Sequence, residues 1–361
     1  MNGVPAASTS RTLATSTLAA RAREGVRDLF SGYPALVMAT GIVSVASARL
    51  GYDPIAWALL AVNLVAYVVL WALLALRIAW FPRRVVADLT SHQAGPGFLT
   101  LVAGTAVLGS QALLLADAAA AATAALWVAA VLWAGLLYTF LTAVTVRADK
   151  PSLAEGLSGA WLLLVVATQS VAVLGTLLAL RDGALSRPAA LLLLGMYLVG
   201  GMLYLCLINL VLYRFTFFAL PPENLSPPYW INMGAVAITT LAGANLTLLA
   251  PSSPLLEELR PFLAGLTLFF FAFATWWIPL LFVLGVWRHV VRRVPLRYHP
   301  SYWGMVFPLG MYATCTVQLS RALDLPFLLP LARAFGWIAL AAWSLTFLGL
   351  AGALLRFARG R

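Results

Sequence analysis

The sequence predicts an all-α polytopic membrane protein, with ten transmembrane helices paired as five helical hairpins around a central pore. Three observations carry this. Hydrophobic residues make up 62% of the 361 residues and charged residues 10%, with a mean hydropathy of +0.93; soluble domains carry about 25% charged residues. Apolar stretches recur in pairs, and the first member of each pair opens on an aromatic residue, at Tyr33, Phe98, Trp161, Trp230 and Trp303, 63 to 73 residues apart. Those first members are also the polar ones, with 22 Ser, Thr, Asn and Gln residues against 11 in the longer second members.

The expected spans are 33–50, 55–79, 97–116, 120–145, 157–181, 188–216, 228–249, 259–290, 301–320 and 334–356, most of them near or above the roughly 20 residues that cross a bilayer. The loops between them leave no room for a soluble domain. Residues 28–361 therefore read as one transmembrane domain behind a mobile N-terminal tail, 1–27. That tail is rich in Arg, Ser and Thr, as organelle transit peptides are. A cytoplasmic tail is preferred, because it lacks the apolar core of a secretory signal and the charge asymmetry accounts for its arginines. Within 21–30, Arg21, Arg23 and Arg27 beside Val26, Leu29 and Phe30 suit a short interfacial helix.

Orientation follows from the basic residues. With the N-terminus inside and ten crossings, 17 of the 23 Lys and Arg residues face the cytoplasm and six (Arg49, Arg181, Arg187, Arg260, Arg321 and Arg333) face out. Both termini are then cytoplasmic in a cell membrane, inner or plasma. This asymmetry accounts for the net charge of +11 without nucleic-acid binding, which would need a basic patch in a folded soluble module. Cys206 and Cys315 fall inside spans, and His92, His289 and His299 lie in or next to loops. No spacing suggests a metal site, and neither a cofactor nor a catalytic residue is indicated.

Polar side chains in a bilayer need partners or water. Their concentration on alternate spans argues that the odd helices line a pore and the even ones face lipid. Hydroxyls that merely join helices would show no such preference. Helical spacing gives one stripe per odd helix: Thr40, Ser44 and Ser47; Thr100, Gly104 and Gln111; Thr168, Gly175 and Thr176; Asn232, Thr239 and Gly243; Phe307, Gly310, Thr314 and Gln318. The path is expected to be lined by Thr40, Gly41, Ser44, Gly104, Thr105, Thr168, Thr239, Gly310 and Thr314. No ionisable side chain falls in mid-span, which favours facilitated passage over energised pumping. With the N-terminus inside, the positive dipole ends of all five odd helices converge on a basic inner mouth, which favours anions.

The string Tyr302-Trp303-Gly304-Met305-Val306-Phe307-Pro308-Leu309-Gly310 is the most specific in the chain. Pro308 removes a backbone hydrogen bond in mid-helix and should kink it. Phe307 then sits on the polar stripe as a plug, or alternatively packs as an ordinary apolar residue.

These residues, with Val37-Met38-Ala39-Thr40-Gly41 in the first span and His92 and Gly95-Pro96-Gly97-Phe98 entering the third, resemble the tellurite-resistance/dicarboxylate transporter family, which includes the plant guard-cell slow anion channels. The resemblance covers roughly residues 28–356. It implies a quasi-fivefold bundle with a pore lined by the odd helices, a homotrimer with one pore per subunit, and a phenylalanine gate best matched here by Phe307. Pore helices of the family are often proline-kinked, whereas here the ninth is the one odd span with a mid-helix proline. The expected function is a channel or permease for small anions: C4-dicarboxylate, sulfite, tellurite-like oxyanions, nitrate or chloride. Two rival readings are a proton- or gradient-coupled exporter, with His92 as a peripheral coupling group, and a membrane-embedded enzyme. The best string for the latter, Arg288-His289-Val290-Val291-Arg292-Arg293, reads better as a positive flank.

Overall fold

The structure, a computed structural model, describes residues 18–359. Residues 1–17, the larger part of the expected tail, lie outside the described residues. Among the described residues there is no strand. Ten helices of 15 residues or more build the body: α1 (Ala35–Arg49), α2 (Asp53–Trp80), α3 (Thr100–Ala116), α4 (Ala119–Val146), α5 (Leu163–Asp182), α6 (Arg187–Phe217), α7 (Ile231–Leu249), α8 (Arg260–Val286), α9 (Trp303–Ala322) and α10 (Leu329–Ala358).

Four odd helices begin with a tight 3-10 turn, at Gly95–Leu99, Gly159–Leu162, Pro227–Trp230 and Pro300–Tyr302. Three of these turns hold a proline in their first two positions, and α1 follows Pro34. Proline there gives up an N–H that has no helical partner anyway and presets φ. The repeated aromatic openers therefore fall in or beside the first turn of each odd helix.

Eight helices, α2 to α8 and α10 with their flanking turns, are long and apolar enough to cross a membrane. Of the ten expected crossings, these eight qualify on length and composition. Helix α1 has 15 residues and at 1.5 Å per residue covers about 22 Å of a hydrocarbon core about 30 Å thick. Helix α9 is not among the eight; it spends its length on Gly304, Pro308, Gly310, Thr314, Thr316, Gln318 and Ser320.

Burial separates the helices into two layers. Helices α3, α5 and α7 with their first turns bury 78%, 100% and 94% of their apolar stretches, against 17–22% for α2, α4, α8 and α10 and 50% for α6. Helices α1 and α9 are buried almost throughout. The buried helices pack in cyclic order: α1 on α3, α3 on α5, α5 on α7, α7 on α9, and α9 back on α1. Each even helix lies against the odd helix that precedes it, from α2 on α1 to α10 on α9. The odd helices thus share one direction, with their N-termini at one end of the bundle.

A further helix, Leu18–Arg27, covers most of the expected interfacial segment and lies against α2. Val26 is buried beneath it. Arg21 Nη1 donates to the Phe357 carbonyl at 3.2 Å, and Arg77 Nε donates to the Arg27 carbonyl at 3.1 Å.

Candidate functional site

Two cavities lie among the odd helices. One, of about 40 Å³, opens at their N-terminal ends and is lined from all five: Ala35 and Met38, Gly97 and Thr100, Ala160 and Leu163, Pro228 and Ile231, Ser301 and Gly304. The second, of about 20 Å³, lies nearer the C-terminal ends and again touches all five, at Ile42 and Arg49, Val107 and Ser110, Ser170 and Val173, Ile238 and Leu241, Met311 and Thr314. On α9 the facing stripe runs Gly304, Phe307, Met311, Thr314, a spacing of three and four that keeps to one helix face. The same register gives Thr100, Ala103, Val107; Leu163, Val166, Ser170; and Ile231, Gly234, Ile238. Ala103, Val166, Gly234 and Phe307 thus fall between the two cavities and line neither. Phe307 is fully buried and is the largest of the four. Pro308 sits inside the continuous α9 and packs where Gly234 lacks a side chain: a Cβ at Gly234 would lie 2.6 Å from Pro308 Cγ.

The residues expected to line a path separate into four groups. Thr314 lines the second cavity. Thr40, Ser44, Thr105 and Thr168 turn to the outer helices. Trp343 Nε1 donates to Thr40 Oγ1 at 2.9 Å, Ser44 Oγ donates to the Ala56 carbonyl at 2.7 Å, Tyr67 and Thr105 share a hydroxyl bond of 3.0 Å, and Trp133 Nε1 donates to Thr168 Oγ1 at 2.9 Å. Each of these three threonines lies two residues from an axial position, about 200° around the helix. Gly41, Gly104 and Gly310 sit where odd helices meet. A Cβ at Gly41 would lie 2.5 Å from Val107 Cγ1, one at Gly310 would lie 3.0 Å from Ile42 Cγ2, and one at Gly104 would touch Val37 at 3.4 Å. Thr239 is buried and donates to the Ala235 carbonyl at 2.8 Å.

The links between layers follow a rule. Each outer helix bonds to the odd helix of the next hairpin: α10 to α1 through Trp343 and Thr40, α2 to α3 through Tyr67 and Thr105, and α4 to α5 through Trp133 and Thr168. Tyr204 OH of α6 donates to the Asn232 carbonyl of α7 at 3.2 Å, and Thr275 of α8 shares a 2.8 Å hydroxyl bond with Tyr312 of α9.

Sequence reasoning missed Ser110, Ser170 and Arg49 on the axis. The repeat spacing held the signal for the serines, since Ser110 stands seven residues after Ala103 just as Thr314 stands seven after Phe307, and Ser170 stands four after Val166 just as Met311 stands four after Phe307. All three axial hydroxyls return their protons to their own helix. Ser110 donates to Ala106 at 2.9 Å, Ser170 to Val166 at 2.7 Å and Thr314 to Gly310 at 3.0 Å. Beyond them a chain of side chains crosses four odd helices: Arg49 Nη1 to Gln318 Oε1 at 2.7 Å, Gln318 Nε2 to Asn245 Oδ1 at 2.7 Å, and Asn245 Nδ2 to Thr176 Oγ1 at 3.0 Å.

The N-terminal end of the odd helices is held by buried cations. Arg77, 2% exposed, pairs with Asp88 at 2.5 Å. Arg214 donates to the Ala154 carbonyl at 2.8 Å and to the Tyr229 hydroxyl. Trp161 Nε1 donates to the carbonyls of His92 at 3.0 Å and Gly156 at 2.9 Å. Burial, with Arg147 and Lys150 nearby, holds the His92 imidazole below its usual 6.5, and burial does the same to His299. Among the described residues no cluster of His, Cys, Asp or Glu could hold a metal ion.

Comparison with known proteins bears on this arrangement. The chain matches the voltage-dependent anion channel (SLAC1) family over residues 30–351. A protein of Mycobacterium tuberculosis described as an uncharacterised membrane protein is 43% identical over 148 residues, 41% of this chain and 75% of that one. A protein of Methanocaldococcus jannaschii described as an uncharacterised transporter is 23% identical over 333 residues, 89% of this chain and 93% of that one. A second transporter so described, from the same organism, is 26% identical over 147 residues, 41% of each chain. The family and these transporters point to a channel or transporter rather than an enzyme. The resemblance in the Thr40-Gly41 and Phe307-Pro308 strings therefore extends along nearly the whole multi-pass helical chain, which belongs to the voltage-dependent anion channel family.

Proposed function

We propose that the chain conducts small anions along the axis of its odd helices, with ten helices in a quasi-fivefold arrangement and Phe307 closing the path. One observation carries the reading: cavities lined by all five odd helices lie on either side of a layer in which Phe307 is the largest side chain. In this reading the path keeps Thr314 from the expected set and adds Met38, Ser110 and Ser170, while Thr40, Thr105 and Thr168 hold the layers together. Pro308, fitted against Gly234, sets where the Phe307 ring stands. Arg49 is the one ionisable side chain lining either cavity among the described residues. No carboxylate or imidazole lines them, which favours passive passage over proton coupling.

The charge asymmetry supports a cytoplasmic N-terminus in the cell membrane. The basic inner mouth and the shared direction of the odd helices both favour anions there. Sulfite, nitrate, chloride, tellurite-like oxyanions and C4-dicarboxylates form the candidate set, and a homotrimer is the assembly the family resemblance implies. Phe307→Ala in reconstituted liposomes is expected to raise anion flux about tenfold or more, as a steric barrier is removed. Unchanged flux from a folded variant would take Phe307 out of the gate.

A further inference from the structure

Arg49 ends α1 and lies between two spaces. On one side it lines the axial cavity of about 20 Å³. On the other it lines a wider recess of about 340 Å³, shared with Arg321, Arg333 and Asp324, at the C-terminal ends of the odd helices. Its Nη1 donates to Gln318, but its Nε is buried without an acceptor. Among the described residues no carboxylate forms an ion pair with it, Asp324 included. A guanidinium partly withdrawn from water without a counter-ion is costly, so the site favours a ligand that supplies the missing charge.

The surroundings narrow that ligand. Ser110, Ser170 and Thr314 donate their protons to carbonyls of their own helices and turn lone pairs, not protons, to the cavity. Arg49 is therefore the donor that an arriving anion meets. With Nη1 taken, the free side of its fork is the Nε and Nη2 edge, which matches two oxygens of one anion. Arg321 and Arg333 are exposed at the rim and outnumber Asp324, so the recess concentrates anions.

We propose that Arg49 forms a binding site for a small oxyanion with two adjacent oxygens, such as nitrate or sulfite, at the end of the axis away from the Phe307 layer. This deepens the conduction reading. Binding of the anion can be measured without flux, so the two ideas can fail separately.

The test uses the purified full-length protein in detergent, with nitrate, sulfite or chloride added at constant ionic strength held by bulky gluconate. Its thermal midpoint is expected to rise saturably with nitrate and sulfite, at lower concentration than with chloride. Arg49→Gln, which keeps a partner for Gln318, should raise the half-saturating concentration about tenfold or more. Arg49→Lys, which keeps the charge without the fork, should bind anions but lose the preference for nitrate over chloride. Should Arg49→Gln not fold, Arg49→Lys and the exposed pair Arg321→Gln/Arg333→Gln, expected to shift half-saturation about two- to threefold, carry the decision. Unchanged half-saturation in Arg49→Gln, retained nitrate preference in Arg49→Lys, or no shift of the native protein by about 0.1 M nitrate would each overturn the site. Saturable binding without liposome flux keeps the site and removes conduction. Flux whose anion dependence is the same in Arg49→Gln removes the site and keeps conduction.

Discussion

Trp343 Nε1 donates to Thr40 Oγ1 at 2.9 Å, joining the last long helix to the first across 303 positions of sequence. The bond closes the cycle of hairpins, and both partners sit at the boundary between buried and lipid-facing layers. Trp343→Phe keeps most of the apolar contact and removes the donor, so it should cost about 1 kcal/mol. A double-mutant cycle with Thr40→Val, read by thermal midpoint in detergent, should show the two losses to be non-additive. Additive losses would mean that the bond contributes nothing.

The contact between Gly234 and Pro308 gives a second prediction. A methyl at Gly234 would lie 2.6 Å from Pro308 Cγ, in backbone that cannot move freely. Gly234→Ala should destabilise by about 1–3 kcal/mol, the usual range for overpacking. Pro308→Ala in the same chain should recover most of that loss and should also alter anion flux, since it frees α9 beside Phe307.

Arg77 and Asp88 form a pair whose cation is buried while its anion is about a quarter exposed. Asp88→Ala leaves the guanidinium with the Arg27 carbonyl as partner and should cost about 2–3 kcal/mol, at the low end for a buried pair because Asp88 is partly solvated. Arg77→Met combined with Asp88→Asn should recover much of it. Thermal midpoints of the two variants check this, and equal losses in both would contradict it.

Stability should also depend on pH through His92 and His299. Both are held below the usual 6.5, so just below that value the unfolded chain binds more protons than the folded one. Stability is then full above about pH 6.5, falls as pH drops through the window, and levels off once the folded-state values are passed. The thermal midpoint at about pH 5.5 should lie below that at about pH 7.5. His92→Gln/His299→Gln should flatten the difference.

The division into buried and exposed helices was legible in the sequence, because hydroxyls, amides and glycines crowd onto alternate spans and the lipid-facing spans can do without them. The face of the other odd helices was not, whereas on α9 the expected stripe already held Phe307 and Thr314. Thr40 and Thr168 look like pore residues by their spacing, but a hydroxyl in a bilayer turns to its best partner, and an indole N–H on the next outer helix supplied one. The axial stripe instead holds Met38, Val166 and Ile238, which no polar count selects. Helix α1 looked like a full span because Tyr33, Pro34 and Leu50 extend its apolar run, although they flank rather than continue the helix. Arg49 read as an exterior flanking charge, since only the packing of α9 against α1 shows that Gln318 is there to receive it.

The fastening of each outer helix to the odd helix of the next hairpin has a mechanical consequence. A hairpin tied on both sides cannot tilt alone without breaking a hydrogen bond to a neighbour or dragging that neighbour with it. Five such ties, closed through Trp343 and Thr40, couple the hairpins as the leaves of an iris are coupled. Under the proposed conduction, widening at Phe307 should then come as a concerted rotation of all the leaves rather than as the swing of one ring.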